Sequence, residues 1–300
     1  MGEIFTVERP AAVLEFTGER MTSDAHGQIE YEHLHRYCFA RLFCRGKDVV
    51  DVAAGEGYGS ALLAQVANRV IGVEMAADAV GHAISAYGRD NLSFIRGDAR
   101  HLPLQSNVAD VVVSFETIEH LYEQQLFLTE IRRILRPGGV LVISSPDSEV
   151  YSYTGSPVNP FHLRELTRDE FKEALSAVFP NTQFYSQRAL IGSALTIDGP
   201  SNGVITFERR SDDHVDAGKG LPRAPYLVAV ASAHSLDDPF QTLYIDLTRS
   251  AYLLTSRFGG TDTTPTPLEL EGALAAANSR LQESAARESA ARGRDHYRTR

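Results

Sequence analysis

Residues 48–59, Asp48-Val49-Val50-Asp51-Val52-Ala53-Ala54-Gly55-Glu56-Gly57-Tyr58-Gly59, restrict the fold more than any other stretch. A short run rich in β-branched residues passes at once into three alternating glycines. Ala61, Leu62, Leu63, Val66 and Ala67 then recur at helical spacing. Strand, glycine turn, helix is the repeating unit of a parallel sheet covered on both faces. The alternation continues along the chain. Strands are expected at 69–74, 92–96, 109–114 and 140–144, with helices at 76–87 and 122–135, the second stopped by Pro137-Gly138-Gly139. Thr167 and Asp169 offer caps for a helix running to Phe179. Residues 183–187 and 226–232 read as further strands.

The domain expectation is an N-terminal lid or cover segment over 1–46, a cofactor-binding domain over 47–236, and a C-terminal helical tail over 237–300. Residues 188–225 hold few periodic positions and are too long for a bare connection, so they read as a functional insertion or an arm for a second subunit. A homo-oligomer is the expectation that follows. Leu270, Leu274, Ala277, Leu281 and Ala285 give the tail its helical spacing, after the linker at 259–267.

Charge and cysteine content narrow the function. Twenty-nine basic against 39 acidic side chains leave a net charge of −10, which repels phosphate backbones, so no nucleic-acid partner is expected. Cys38 and Cys44 form neither a disulfide framework nor a metal-ligand quartet. No apolar run approaches the roughly 18–20 residues that span a bilayer. The first ten residues have no basic start and no apolar stretch, so no secretory leader and no membrane partner are expected. Met1 to Thr6 fits a loose myristoylation pattern, read as a chance match because no second anchor lies beside it. A cytoplasmic enzyme is the class that remains.

The glycine loop alone leaves two cofactors open. A dinucleotide turn wants a third glycine where Ser60 stands. Glu74 ends the second strand 19 residues after Gly55, and its carboxylate suits the ribose diol of either a nicotinamide or an S-adenosyl cofactor. A pyrophosphate needs a cradle without negative charge. Asp51 and Glu56 beside this loop suit the ammonium and sulfonium of S-adenosyl-L-methionine better.

Motifs 50–59, Val73-Glu74, Gly97-Asp98-Ala99, Phe115-Glu116-Thr117-Ile118-Glu119-His120-Leu121 and Leu135-Arg136-Pro137-Gly138-Gly139 resemble, in order and spacing, those of class I S-adenosylmethionine-dependent methyltransferases. The resemblance implies an α/β fold with a Rossmann-like, seven-stranded, mostly parallel sheet and helices on both faces. It implies that the loop of Asp51, Ala53, Gly55, Gly57 and Tyr58 meets the methionine part and that Glu74 holds the ribose. Met75 would pack on adenine, Asp98 and Ala99 would face its amino edge, and Glu116 would line the methionine end. Ala53 departs from the glycine usual at its position. A narrower resemblance joins Phe16-Thr17-Gly18-Glu19-Arg20, the 55–59 loop and Asn159-Pro160-Phe161-His162-Leu163-Arg164-Glu165-Leu166 to bacterial methyltransferases of sugars, including those of surface and mycobacterial methylated polysaccharides. It implies a sugar or glycan acceptor.

A sugar hydroxyl gains from a general base, worth about 10²- to 10⁴-fold in rate. His120, after the fourth strand at the carboxyl edge of the sheet, is the first choice, with a cap or orienting role as its alternative. His162 is the second, with a loop-fixing bond to Glu165 as its alternative. Glu119 would orient His120 or sit solvated. Glu119, His120, Asp147 and His162 are conceivable ligands for a divalent cation such as magnesium, but their spacing demands none and no metal site is assigned. Arg36, within the cluster Tyr31, His33, His35, Arg36 and Tyr37, could pair with the methionine carboxylate or belong to a plain cover helix. The rival functions are a methyltransferase of a small natural product, a nicotinamide-dependent sugar-nucleotide oxidoreductase, and a non-catalytic scaffold.

Overall fold

The computed structural model describes residues 5–8, 10, 14, 21–23, 27–151, 159–190, 203–209 and 215–245. The chain divides into two compact units, Met1–Thr242 and Leu243–Arg300, and the elements below belong to the first. The expected tail helix, the linker at 259–267 and the 16–20 motif lie outside the described residues.

Helix α1 (Gln28–Cys44) precedes strand β1 (Asp48–Val52), α2 (Tyr58–Ala64), β2 (Arg69–Glu74), α3 (Ala77–Tyr87), β3 (Leu92–Arg96) and β4 (Ala109–Ser114). A single 3-10 turn at Ile118–His120 leads to α4 (Gln124–Ile134) and β5 (Leu135–Pro146). The short α5 (Ser148–Tyr151), α6 (Arg168–Ser176), β6 (Asn181–Gln187), a hairpin of β7 (Ile205–Arg209) and β8 (Val215–Lys219), and β9 (Tyr226–Ser232) follow. Seven strands form one sheet in the order β3-β2-β1-β4-β5-β9-β6. Strands β1 to β5 pair in parallel, and β9 runs antiparallel between β5 and β6.

The chain winds outward from β1 to β3, then crosses back to β4 and winds the other way. Right-handed crossovers in opposite directions put their helices on opposite faces. The side chains of β1 report both faces, because alternate residues point to opposite sides. Val50 and Val52 join the core of Phe127, Leu128 and Ile131 from α4 and Phe171 and Leu175 from α6. Asp51 faces the other way, to Ser60 of α2 and Tyr37 of α1. The reversal between β1 and β4 leaves a crevice at their carboxyl ends, where ligands of open α/β sheets bind.

Three elements differ from the sequence expectation. Helix α4 starts at Gln124, because 118–120 close a separate turn, and Leu135 belongs to the sheet rather than the helix. Strand β5 therefore begins before Pro137-Gly138-Gly139. Its pairing jumps from Ala109↔Leu135 to Val111↔Val140, and 136–139 bulge out through Gly138 at φ 80°. The punctuation residues mark a bulge, not a boundary. Helix α6 ends at Ser176, short of Phe179, with Thr167 as its cap in a reciprocal pair with Glu170. The 188–225 stretch holds the β7–β8 hairpin, which Arg188 and Arg223 tie through Glu208 at 2.6 and 2.8 Å.

Phe127 has no exposed surface. Truncating Phe127→Ala should cost about 3–5 kcal/mol, read as a lower urea midpoint with an unchanged slope. Leu42, 58 % exposed on α1, should change stability by less than about 0.5 kcal/mol as Leu42→Ala.

Candidate functional site

The loop after β1 turns through three left-handed residues, Ala53 at φ 61°, Gly55 at 58° and Gly57 at 101°. Ala53 occupies a conformation that costs an L side chain about 1–2 kcal/mol, which explains why glycine is usual there. A Cβ on Gly55 would meet nothing within 4 Å, whereas one on Gly57 would lie 2.9 Å from the Ala83 side chain. The backbone at Gly55 thus borders open space, and that at Gly57 is pressed onto α3 and β3.

Beneath the loop, Asp51 is fully buried. Ser60 donates to it at 2.6 Å and Tyr37 at 3.3 Å. Burial pushes its carboxyl up to about 7, the Ser60 and Tyr37 hydrogen bonds pull it back down, and the Glu74 charge raises it again. Asp51 therefore braces the loop against α1 and α2. Glu56 is also buried, and Ser23 donates to it through both its amide and its hydroxyl. His82 lies 3.4 Å from it. Tyr58 is buried, its hydroxyl 3.0 Å from His33 Nδ1.

Glu74 ends β2 with its carboxylate turned to the same loop. Gly55 donates to Oε2 at 3.0 Å and Ala76 to Oε1 at 2.9 Å. Each oxygen keeps a second lone pair. Met75 beside it is 60 % exposed, a large apolar side chain on the rim. After β3, Asp98 receives Arg100 on both oxygens, with Nη2 at 2.7 Å. Those hydrogen bonds hold its carboxyl below the usual range. Ala99 packs half-buried on the core.

Past β4, Glu116 stands at φ 49°. Ser144 donates to its Oε1 at 2.6 Å, and its own amide donates to Ser144 Oγ at 3.1 Å. Arg36, 2 % exposed, reaches Glu116 with Nη1 at 3.3 Å. It donates from Nε to Gln187 at 2.6 Å and lies 4.4 Å above the Tyr226 ring. Its Nη1 and Nη2 make no hydrogen bond among the described residues.

The third group joins the 118–120 turn to the 159–166 loop. Leu163 and Arg164 donate to the Glu119 carbonyl at 2.9 and 3.0 Å. His120 Nδ1 faces the Phe161 carbonyl at 2.9 Å, which can only accept, so Nδ1 bears the proton of the neutral ring and Nε2 the lone pair. His162 Nδ1 lies 2.6 Å from Glu165 Oε1, and Asn159 donates to its Nε2 at 3.0 Å. The two imidazoles stand edge to face, centroids 5.0 Å apart. The Glu119 carboxylate is fully buried beside them, with neither oxygen hydrogen-bonded among the described residues. Burial holds its carboxyl well above the ordinary value, with the Glu116 charge adding to that.

The loop and Glu74 are thus joined at the ends of β1 and β2 with Met75 beside them, Arg36 meets Glu116 past β4, and Glu119, His120 and His162 form one cluster, while Asp98 is engaged by Arg100 and Ala99 packs on the core. Asp147 stands apart, hydrogen-bonded to Glu149 and 3.7 Å from Arg168. Gln187, Tyr226 and Ser144 were not singled out by sequence. Only the strand pattern pointed to their neighbourhood, and nothing in it marked their polar roles. No helix among the described residues is long and apolar enough to cross a membrane.

Residues 50–143 match the family described as "Methyltransferase domain". A protein of Mycolicibacterium smegmatis named "Probable S-adenosylmethionine-dependent methyltransferase" is 40% identical over 167 residues, 55% of this chain and 64% of that protein. This chain therefore spans less than two thirds of that relative. A fatty-acid O-methyltransferase of the same organism is 32% identical over 120 residues, covering 37% of this chain and 43% of that protein. Among solved structures, a complex of the Haloferax volcanii Trm112 methyltransferase activator with a methyltransferase matches at 22% identity and TM-score 0.50. It covers 68% of this chain and 89% of that one, a likeness of fold alone.

Two outcomes follow from this geometry. Ala53→Gly relieves the left-handed strain and adds back about 0.4–1 kcal/mol of unfolded-chain entropy, so thermal unfolding should show no loss and up to about 1.6 kcal/mol gain. Asp51 has a folded pKa near 7 against about 3.9 unfolded, so the folded state binds more protons between those values. Its contribution to stability falls as pH rises from about 4 to 7 and is constant outside that window. Asp51→Asn should flatten that part of a melting-temperature profile.

Proposed function

We propose that the chain is a class I S-adenosylmethionine-dependent methyltransferase that transfers a methyl group from S-adenosyl-L-methionine to a hydroxyl of a sugar in a glycan or glycoside, a reading supported by the methyltransferase-domain match at 50–143, the 40% identical relative and the order of the sheet. The residues fit the cofactor. Gly55 presents open backbone, and Glu74 keeps an acceptor pair on each oxygen for the ribose diol. Met75 offers an exposed apolar surface to adenine. The Arg36 guanidinium, buried with hydrogen-bonding capacity to spare, holds the methionine carboxylate. When bound, the cofactor supplies an electrophilic methyl on a sulfonium.

The observation that carries the acceptor assignment is the wall beside Glu116. It is polar and aromatic: His120, His162, Tyr151 and Tyr226, with the Tyr151 ring 5.7 Å from His162 and 5.6 Å from Tyr226. Rings with polar tips suit the alternating apolar and hydroxylated faces of a sugar. His120 Nε2 takes the hydroxyl proton, its tautomer set by Phe161. His162 holds the 159–166 loop in place through Glu165. A second reading, a lipid acceptor in a cytoplasmic or membrane-surface setting, rests on the fatty-acid O-methyltransferase relative and on Phe161 and Leu163, 36 % and 46 % exposed on that loop.

Calorimetric titration should show S-adenosylhomocysteine binding and no NAD binding; NAD alone would establish the oxidoreductase reading instead. Methyl transfer from labelled cofactor should reach oligosaccharides and not fatty acids, and the reverse would move the acceptor to lipid. His120→Ala should keep cofactor affinity and lower turnover at least tenfold.

A further inference from the structure

We propose that Glu119, His120 and His162 form a binding site for one divalent transition-metal cation. One carboxylate oxygen and two imidazole nitrogens from these residues lie within 4.8 Å of one another. Bonds of about 2.0–2.2 Å to a common cation need them to draw together by about 1–1.5 Å, within reach of small side-chain rotations.

Three independent features point the same way. First, the Glu119 carboxylate has no exposed surface and no hydrogen-bond partner on either oxygen among the described residues. A buried carboxylate so placed lacks the compensation that folded proteins normally supply, and a cation supplies it. Second, both histidines have the outer contacts of metal-ligating imidazoles. The Phe161 carbonyl takes Nδ1–H of His120, and the Glu165 carboxylate takes Nδ1–H of His162. Such contacts fix the tautomer and leave Nε2 as the ligand atom. The Asn159 amide now donates to His162 Nε2, and a cation would displace it. Third, the frame is rigid. The Glu119 carbonyl takes two amides of the 159–166 loop, and Gln124 donates to the Ile118 and Arg164 carbonyls at 3.0 and 2.8 Å.

The donor set decides the class of cation. Two imidazoles and one carboxylate suit manganese, iron, cobalt or zinc, whereas magnesium and calcium want oxygen ligands. A bound cation and a hydroxyl proton compete for the His120 lone pair. A loaded centre would therefore lower the pKa of a coordinated hydroxyl through its own charge.

The full chain, freed of metal with a chelator, is titrated with Mn²⁺ while the paramagnetic resonance signal of free Mn²⁺ is followed, with neither cofactor nor acceptor present. One equivalent should bind, and equimolar Mg²⁺ should not displace it. Glu119→Gln and His162→Ala should each weaken binding at least tenfold, with circular dichroism confirming the fold. Glu165→Gln, which leaves all three ligands in place, should weaken it about 10- to 100-fold and serves where a ligand variant does not fold. Absence of Mn²⁺ binding, equal binding by the folded variants, or equal affinity for Mg²⁺ would overturn the proposal. Failure of methyl transfer alone would not touch it.

Discussion

Gly55 gives its amide to Glu74 across 3.0 Å, and the rest of the crevice is arranged around that bond. It exists because β1 and β2 are adjacent, parallel and in the register Val52↔Val73, which brings the end of one strand beside the loop that leaves the other. The second oxygen takes the Ala76 amide at the start of α3. One carboxylate thereby fixes both the loop and the entry to the next helix, and each of its oxygens keeps a second lone pair. The strain at Ala53 is borne because this contact, together with Ala54 donating to the Val73 carbonyl at 3.0 Å, over-determines the turn.

Arg36 does for the opposite rim what Glu74 does for this one. It joins α1 to β6 through Gln187, to β9 through Tyr226 and to the segment after β4 through Glu116. Gln187 answers by donating to the Glu32 carbonyl at 2.8 Å, so the helix and the far strand are tied twice. A guanidinium 2 % exposed is sustained only with a partner. Removing one member of such a buried pair costs about 3–5 kcal/mol. The left-handed backbone at Glu116 is the visible consequence: its side chain must meet Arg36 while its amide meets Ser144.

The parts of this molecule that could be read from sequence are those governed by neighbours in the chain. Strands at 69–74, 92–96, 109–114 and 226–232 appear with the expected bounds because β-branched runs and period two are local signals. The glycine loop and the acidic end of β2 at Glu74 likewise follow from one strand–turn–helix–strand unit. Where the reading failed, distant contacts overruled local punctuation. Leu135 enters the sheet opposite Ala109 even though a proline and two glycines follow it, since a buried strand position outweighs a breaker two residues on. The partners of Arg36 lie 151 and 190 positions away, at Gln187 and Tyr226, and no spacing rule reaches that far. In sequence, Asp51 and Glu56 are simply charges beside the loop. Their hydrogen bonds to Tyr37, Ser60 and Ser23 depend on α1 and the segment before it packing across, which the strand pattern does not encode.

The two histidines show how far hydrogen bonding refines a list of candidates. As residue types they are equivalent, and sequence could rank them only by position. In the fold each has Nδ1 committed as a donor, one to a carbonyl and one to a carboxylate, so each presents Nε2 as a lone pair. At His162 an amide of Asn159 meets that pair and anchors the ring in its own loop. In the proposed reaction the base is the ring of His120. An amide proton and a cation make the same demand on a lone pair, however. Asn159 therefore keeps His162 in the tautomer whose Nε2 pair would meet a metal, at right angles to His120 and beside a carboxylate with no hydrogen bond to either oxygen among the described residues.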